Sequence, residues 1–501
     1  MPSRLQIITL VALAGCSGQK RRTPDDTLVV ALDGVMTTAD PRYTISNYDS
    51  KLAKLVYPGL MAVDTESMEP RLELADKLTQ VDPLTWDAEL RPDVKFSDGM
   101  PVTAADVAYT YQSMLDDKSD SVYHKNFVER FSSVEAISER VTRFHLKTPL
   151  ATMASDLDFG ILSKNQLGAG PYVVQELTST HVVLRPNAFA IAKPLVPHVE
   201  ILFVRDASAR LLMLVGGSAD LIQNGVRLDL VNEVLERPRV RIDAAPSVLL
   251  TYLMFNNDDK VLKDVRVRRA IALALDRPAI IAAQFQGRAV LATGLLPPNH
   301  WAYEGNVTRY TRDLPRAKAL LDEAGLTDPD GDGPRPRVHF VYKTSSDAFR
   351  IAVAKVIVSQ LAEVGIDVEL RPFEFGTFFA DVKKGQYQLA SMQSPEITEP
   401  DLLFTLFNSV RIPDAKNPDG NNRWRYRNAR VDVLTVAARA ELDRTKRIAL
   451  YSEVQKILAD DVPIVPLWHE DNIVLTNVDV EGYHLTPNAR LIGLVTTTKR
   501  H

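Results

Sequence analysis

The chain has 501 residues, an apolar fraction of 45% and a formal net charge of −5. That length exceeds what a single hydrophobic core serves, so two or three domains are expected. The small net charge, without basic clusters interleaved with aromatics, excludes a nucleic-acid surface, and one cysteine excludes disulfides within the chain.

No apolar run reaches the ~18 residues of a helical membrane span. Arg4 gives the chain a positive start, and Leu5 to Ala14 is a short, mostly apolar run. A run this short reads as a secretion signal that lies outside the fold. Leu13-Ala14-Gly15-Cys16 follows and resembles a bacterial lipobox, whose cysteine is lipidated and becomes the first mature residue. Cys16 is therefore the expected lipidation site, with residues 1–16 a signal peptide and the polar, basic residues 17–26 a flexible tether. Such an anchor holds a soluble protein on a membrane without spanning it.

Thr27–Leu32 is predicted as a first strand, Asp40-Pro41 as a turn, and residues 49–57 as a helix stopped by Pro58-Gly59. Residues 86–91 alternate as a half-exposed strand. Phe96-Ser97-Asp98-Gly99 is a tight turn. Thr103 and Asp106 then make a capping box for a helix with Val107, Tyr111, Met114 and Leu115 on one face. Strand signals recur at 142–146, 172–176, 182–185 and 199–204, and Gly168-Ala169-Gly170-Pro171 forms a turn before the second. A helix through Leu214 follows, ending at Gly216-Gly217.

Residues 248–256 read as one strand, apolar on both faces until Asn256, which places it in the middle of a domain. Asp264 caps a helix over 265–275 that buries Val267, Ala270, Ile271, Ala274 and Leu275. Asp276-Arg277-Pro278 ends that helix and starts another. Residues 314–324 form a helix stopped by Gly325. A strand over 338–342 precedes a long helix over 347–364, with Ile351, Ala354, Val358, Leu361 and Ala362 inward, and a strand over 366–370. This alternation predicts a partly parallel sheet covered by helices. The last long helix, 444–460, carries Leu450, Val454, Ile457 and Leu458 on one side. Residues 463–468 are extended, but two prolines argue against a central strand. A separate strand is expected from Ile473 to Val480.

No phosphate loop, nucleophile elbow or zincin motif occurs; His469-Glu470-Asp471 lacks the second histidine four residues on. Asp328, Asp330, Asp332 and Gly333 match the first half of an EF-hand calcium loop. His339 stands at its twelfth position, where a glutamate is needed, and opens a strand instead of a helix, so the loop reads as a turn. Neither a catalytic residue, a metal site nor a cofactor is expected.

Several stretches occur in a telling order. These are Leu90-Arg91-Pro92 to Phe96-Ser97-Asp98-Gly99 with Val102 to Val107, then Gly168 to Tyr172, then Phe255-Asn256. Asp264 to Arg268 with Ala270 to Arg277 follows, then Pro297-Pro298, Ala317 to Gly325 and Pro463 to Leu467. Together they resemble the family 5 extracellular solute-binding proteins, the peptide, oligopeptide and nickel receptors of ABC importers. The resemblance runs over roughly residues 27–495.

It implies an α/β, two-lobed periplasmic-binding-protein-like fold (type II, cluster C) with mixed sheets and a hinge. Lobe I would hold residues 27–252, with an inserted subdomain at about 50–160, and lobe II residues 253–466. Residues 467–501 would return to lobe I. The chain would cross near Phe255 and Pro466, with the buried strand and the proline-rich segment side by side. Such a protein captures peptides between its lobes and delivers them to a permease and ATPase complex, acting as a lipid-anchored monomer on the periplasmic or extracytoplasmic face of a bacterial membrane. Other members of the family bind a metal chelate, an opine or an oligosaccharide, and some act as sensors. A ligand held by both lobes favours the closed state.

Peptide receptors of this family hold the ligand's α-amino group with an acidic residue, because a buried ammonium needs a partner. The family's Trp, followed three residues later by that Asp, has no direct counterpart here. Met392 stands in place of the Trp, the anchor position falls on Pro395, and Glu396 is next to it. The ligand contacts expected from the resemblance are Tyr48, Tyr252, Asn256, Met392, Gln393, Glu396, Asn422, Trp424 and Trp468.

Overall fold

The computed structural model describes residues 23–500, apart from 227, 229, 232–235, 237–238, 332, 395 and 419. Cys16 and the signal peptide, Asp332 and Pro395 lie outside the described residues.

Two long antiparallel strands form the spine of the molecule, Val240–Phe255 and Ile464–Asn477. The first begins eight residues before the predicted 248. Its early part, Arg241 to Pro246, mixes exposed polar and small residues, whereas every residue from Leu250 to Phe255 is buried. A strand covered on both faces shows as a continuous apolar run; its half-exposed extension does not. The pairing of the two strands breaks between Pro246 and Leu250, opposite Asp471 and His469. On one side of that break Val240 to Pro246 face Asn477 to Asp471, and on the other Leu250 to Met254 face His469 to Ile464.

One eleven-stranded sheet extends outward from this spine. Beyond the first spine strand it continues through Leu389–Gln393, Val338–Ser345 and Ile366–Phe373. Beyond the second it continues through Leu221–Gln223, Thr27–Leu32, His198–Phe203, His181–Pro186 and Tyr172–Leu177, while Ala289–Leu291 also pairs with the second. The sheet is mixed: the spine strands and their immediate neighbours pair antiparallel, and parallel pairs flank them on both sides.

The proline-rich segment corrects the sequence reading, because residues 464–477 are one strand at the centre of the sheet. Pro466 is tolerated because it sits at a bulge. Thr251 pairs with Trp468 and Tyr252 with Pro466, so Leu467 has no opposite number. The proline carbonyl is satisfied by the Arg277 guanidinium at 2.6 Å.

The helix Ala348–Ala362 also differs from expectation, burying Val353, Ala354, Ile357 and Leu361 and leaving Ala362 exposed. Its sequence is apolar nearly all round, so periodicity alone does not choose the buried face. Expected caps do form. Asp264 accepts the Arg266 N–H at 2.9 Å, and Asp276 accepts that of Ala279 at 3.0 Å.

A four-stranded antiparallel sheet lies apart, in the order Ala75–Asp82, Thr85–Leu90, Val141–Leu146, Phe131–Ala136. Helix Ala104–Leu115 covers it, with Tyr111 packed against Phe127, Phe131 and Phe144. This unit has its own apolar core. The turn at 168–171 docks it onto helix Asn47–Val56, and so closely that a Cβ on Gly168 would lie 2.0 Å from the Val56 carbonyl oxygen.

Candidate functional site: a charged seam between the lobes

Helix Asn47–Val56 is locked at its start by a capping box, in which Ser46 Oγ accepts the Asp49 N–H at 3.1 Å and Asp49 accepts the Ser46 N–H at 3.2 Å. The other Asp49 oxygen accepts from the Thr37 N–H at 2.6 Å and from its hydroxyl at 3.0 Å, which ties the loop after the first strand to the helix. Tyr48, Lys51 and Lys54 follow at three-residue spacing and share a face. The Tyr48 hydroxyl donates to Asp33. Lys51 lies 5.3 Å from the centroid of the Tyr48 ring.

Asp158 gathers two cations. Lys54 Nζ lies 2.7 Å from it, and Arg490, from the C-terminal segment, donates to its two oxygens at 3.3 and 2.5 Å. Burial pushes the Asp158 carboxyl up, but Arg490 and Lys54 outweigh burial and hold it below the usual carboxylate range. Nearby, burial pushes Glu73 up to about 7.

Glu396 approaches from the opposite side, on the loop after strand Leu389–Gln393. Ser394 fastens that loop to the first spine strand, its N–H donating to the Leu250 carbonyl at 2.8 Å and its Oγ accepting the Leu250 N–H at 2.9 Å. Burial pushes the Glu396 carboxyl up, opposed by the charges of Arg490 and Lys51. Burial likewise pulls the Lys51 ammonium down, opposed by Glu396 and Asp33. The seam therefore joins a cationic wall, Lys51, Lys54 and Arg490, to an acidic group on the facing loop.

Farther along, direct bonds close the seam. Ser155 Oγ donates to Glu399 at 2.6 Å, and Arg447 binds Glu399 and donates to the Ala151 carbonyl at 3.1 Å. Asn299 Nδ2 donates to the Glu66 carbonyl at 2.7 Å. Burial pushes Glu399 up to about 7, only partly offset by Arg447.

The nine residues expected from the sequence divide into groups. Tyr48 and Glu396 stand at the seam. Tyr252, Met392 and Trp424 share one apolar core, where Tyr252 meets Trp424 edge-on at 5.7 Å, and Trp468 is buried in another beside Phe285. Gln393 is half-buried and accepts from Arg350 at 3.5 Å. The Asn256 amide donates to the Gly385 and Tyr387 carbonyls, both at 3.0 Å. Asn422 is fully buried, donating to the carbonyls of Phe407, Asn408 and Tyr426. In this conformation both asparagines brace loops, and both tryptophans pack the interior. Sequence reasoning missed Lys51, Asp158, Arg490 and Arg447. The one signal for Lys51 was a lysine directly before the buried Leu52, three residues from Lys54.

Among the described residues, one cavity lies away from the seam and another beside it at Glu73. One of about 330 Å³ is bounded by Arg277, Ala292, Tyr310 and Pro466, and one of about 410 Å³ by Glu73, Arg91, Gly170 and His484. Among the described residues no group of three or more His, Cys, Asp or Glu could hold a metal ion, and no helix is long and apolar enough to cross a membrane.

Two lobes on a shared spine, meeting at a polar seam, define a hinged binding protein that closes on a guest. The bacterial extracellular solute-binding proteins, family 5 (middle region), match residues 69–410, and the chain belongs to that family. It is 26% identical over 525 residues to the probable D,D-dipeptide-binding periplasmic protein DdpA of Escherichia coli (strain K12), covering 99% of each chain. It is 27% identical over 527 residues to the dipeptide-binding protein of the same organism, covering 96% of this chain and 95% of that one. Among solved structures, NikZ from Campylobacter jejuni in complex with Ni(L-His) superposes with a TM-score of 0.80 at 25% identity, over 95% of this chain and 100% of the other. AppA from Bacillus subtilis, with a nonapeptide, gives 0.79 at 24% identity, over 95% and 99%. The fold is thus the two-lobed solute-binding fold, and the chain is an extracytoplasmic binding protein, not an enzyme.

Proposed function

We propose that this chain is the lipid-anchored substrate-binding component of an ABC importer, closing on short peptides and presenting them to a permease and ATPase complex. The observation that carries this reading is the seam, where unlike charges from the two lobes are buried opposite one another. A guest bearing both charges binds the closed form better than the open one, and that difference drives closure. Relatives named for dipeptides point to the same guest.

In this reading the signal peptide is cut off just ahead of Cys16, Cys16 carries the lipid as the first mature residue, and residues 17–26 are the tether. Lobe I is residues 27–252, with the subdomain at about 50–160, and the return 467–501. Lobe II is residues 253–466. The crossing lies within a few residues of the break between Pro246 and Leu250. Tyr48, Gln393 and Glu396 face the guest, with Met392 and Tyr252 behind them, and the protein works as a monomer.

Native mass spectrometry of residues 17–501 tests the proposal. The expected result is one retained solute per chain that exchanges with added peptide. A retained solute that peptides do not displace would favour the second reading, a non-peptide guest such as an opine or metal chelate. That reading is favoured by Met392 and Pro395 standing where the family's Trp and Asp are expected.

A further inference from the structure

The cavity of about 330 Å³ is bounded only by residues between Ala272 and Pro466, on the far side of the spine strands from the cationic wall of the seam. Its walls include the buried Leu275, Leu295, Phe407, Ile464 and Val465. Protein interiors are close-packed, so a cavity of this size is more than a packing gap, and it reaches the range of small-molecule sites. Smaller cavities with such a lining take up apolar molecules.

One charge is set into this apolar space. Arg277 bounds the cavity and is 7% exposed. Its Nη1 donates to the Ala292 carbonyl at 3.1 Å and to the Pro466 carbonyl at 2.6 Å, and its Nη2 to the Tyr310 carbonyl at 2.9 Å. A guanidinium carries five N–H donors, so the Nε–H and one Nη2–H are left without an acceptor among the described residues. No carboxylate among those residues pairs with it, whereas Arg447 and Arg490 are bound by Glu399 and Asp158. Burial, with no acidic neighbour to offset it, pulls the Arg277 guanidinium down to about 10. At the rim, Asp276 caps the following helix through the Ala279 N–H at 3.0 Å, and Arg312 pairs with Glu363 at 2.7 Å. The charge left facing inward is that of Arg277.

We propose that this cavity is a second binding site, for a medium-chain aliphatic carboxylate whose head group meets Arg277 and whose tail fills the apolar part. The carboxylate accepts from the two free N–H groups and supplies the counter-charge that neutral carbonyls do not. The hydrocarbon tail replaces water-exposed surface with contacts to the apolar walls. The site is separate from the seam and does not depend on what the seam binds.

The test is titration calorimetry of the protein, stripped of solute by unfolding and refolding, with octanoate and 1-octanol. The wild type is expected to bind one octanoate per chain about tenfold or more tightly than the alcohol, the scale of one charged hydrogen bond. Arg277→Met is expected to erase that preference by weakening only the acid, and Arg277→Lys to keep part of it. Arg277 also ties three carbonyls together, so a second measurement uses the wild type alone. A diazirine-bearing octanoate is photolysed on the protein, and the cross-links are expected within 291–295 and 455–466 and to disappear with excess octanoate. Octanoate that does not saturate, octanoate and octanol bound alike, or an undiminished preference in folded Arg277→Met would overturn the proposal. So would cross-links confined to the seam, within 47–56 and 394–399.

Discussion

The aromatic interior beyond the first spine strand and the charged seam are built on opposite principles. In the interior, Tyr252, Met392, Phe407, Trp424 and Tyr426 fill one contiguous core, and Trp424 is 1% exposed. Across the seam, Lys51, Lys54, Asp158, Glu396 and Arg490 are withdrawn from water yet only partly paired with one another. Aromatic packing of the first kind fixes one arrangement. Partly matched charges of the second kind leave room for a guest to complete them. Large aromatic side chains thus mark the packed interior, and lysine and glutamate withdrawn from water mark the seam.

Removing a side chain from each region sharpens the contrast. Trp424→Ala should cost about 4 kcal/mol of unfolding free energy, as for a large aromatic deleted from a packed core. Chemical denaturation would measure it, and a loss below about 1 kcal/mol would show that the core is not filled as described. Asp158→Ala should cost about 3 kcal/mol, because it leaves Lys54 and Arg490 buried without their carboxylate. A neutral effect in the same measurement would mean that water already serves those cations.

Titration separates the regions by sign. Burial pulls His469 down to about 4, so its contribution to stability is present above the ordinary histidine value and is lost as pH falls. His469→Gln should therefore gain about 2 kcal/mol on wild type between pH 7 and pH 5. Glu73, raised to about 7, contributes stability at low pH that is lost as pH rises through that value. Glu73→Gln should accordingly lose about 2 kcal/mol on wild type over the same interval. Melting curves at the two pH values would decide this, and shifts of the same sign in both variants would contradict the burial of one of the two groups.

The smallest effect concerns the guest alone. Glu396→Gln should weaken a free-amine peptide about tenfold, with little change for its N-acetyl form. Equal loss for both would remove Glu396 as the ammonium partner.

Much of the fold was legible in the sequence because its signals are local. The capping box at Thr103, the left-handed Gly325, and the caps Asp264 and Asp276 each act within a few residues, although the capping box at Ser46, which starts its helix at Asn47 and not at 49, was passed over. The second spine strand was not, because Pro466 is admissible only at a bulge, and a bulge depends on the partner strand. The site was legible only in part for the same reason. Glu396 could be found beside a motif, whereas Lys51 gains its meaning from Glu396, 345 positions away in the numbering. Asn422 and Trp424 drew attention by residue type, but the backbone carbonyls and aromatic rings around them come from the tertiary fold.

The central claim is that two lobes shut on a guest at the Lys51–Glu396 seam. Small-angle X-ray scattering of residues 17–501 tests it directly, comparing protein stripped of solute by unfolding and refolding with the same sample after a binding peptide is restored. The account predicts a larger radius of gyration for the stripped protein and a return to the compact value when the peptide is added. Saturating binding with no change in the radius would contradict it.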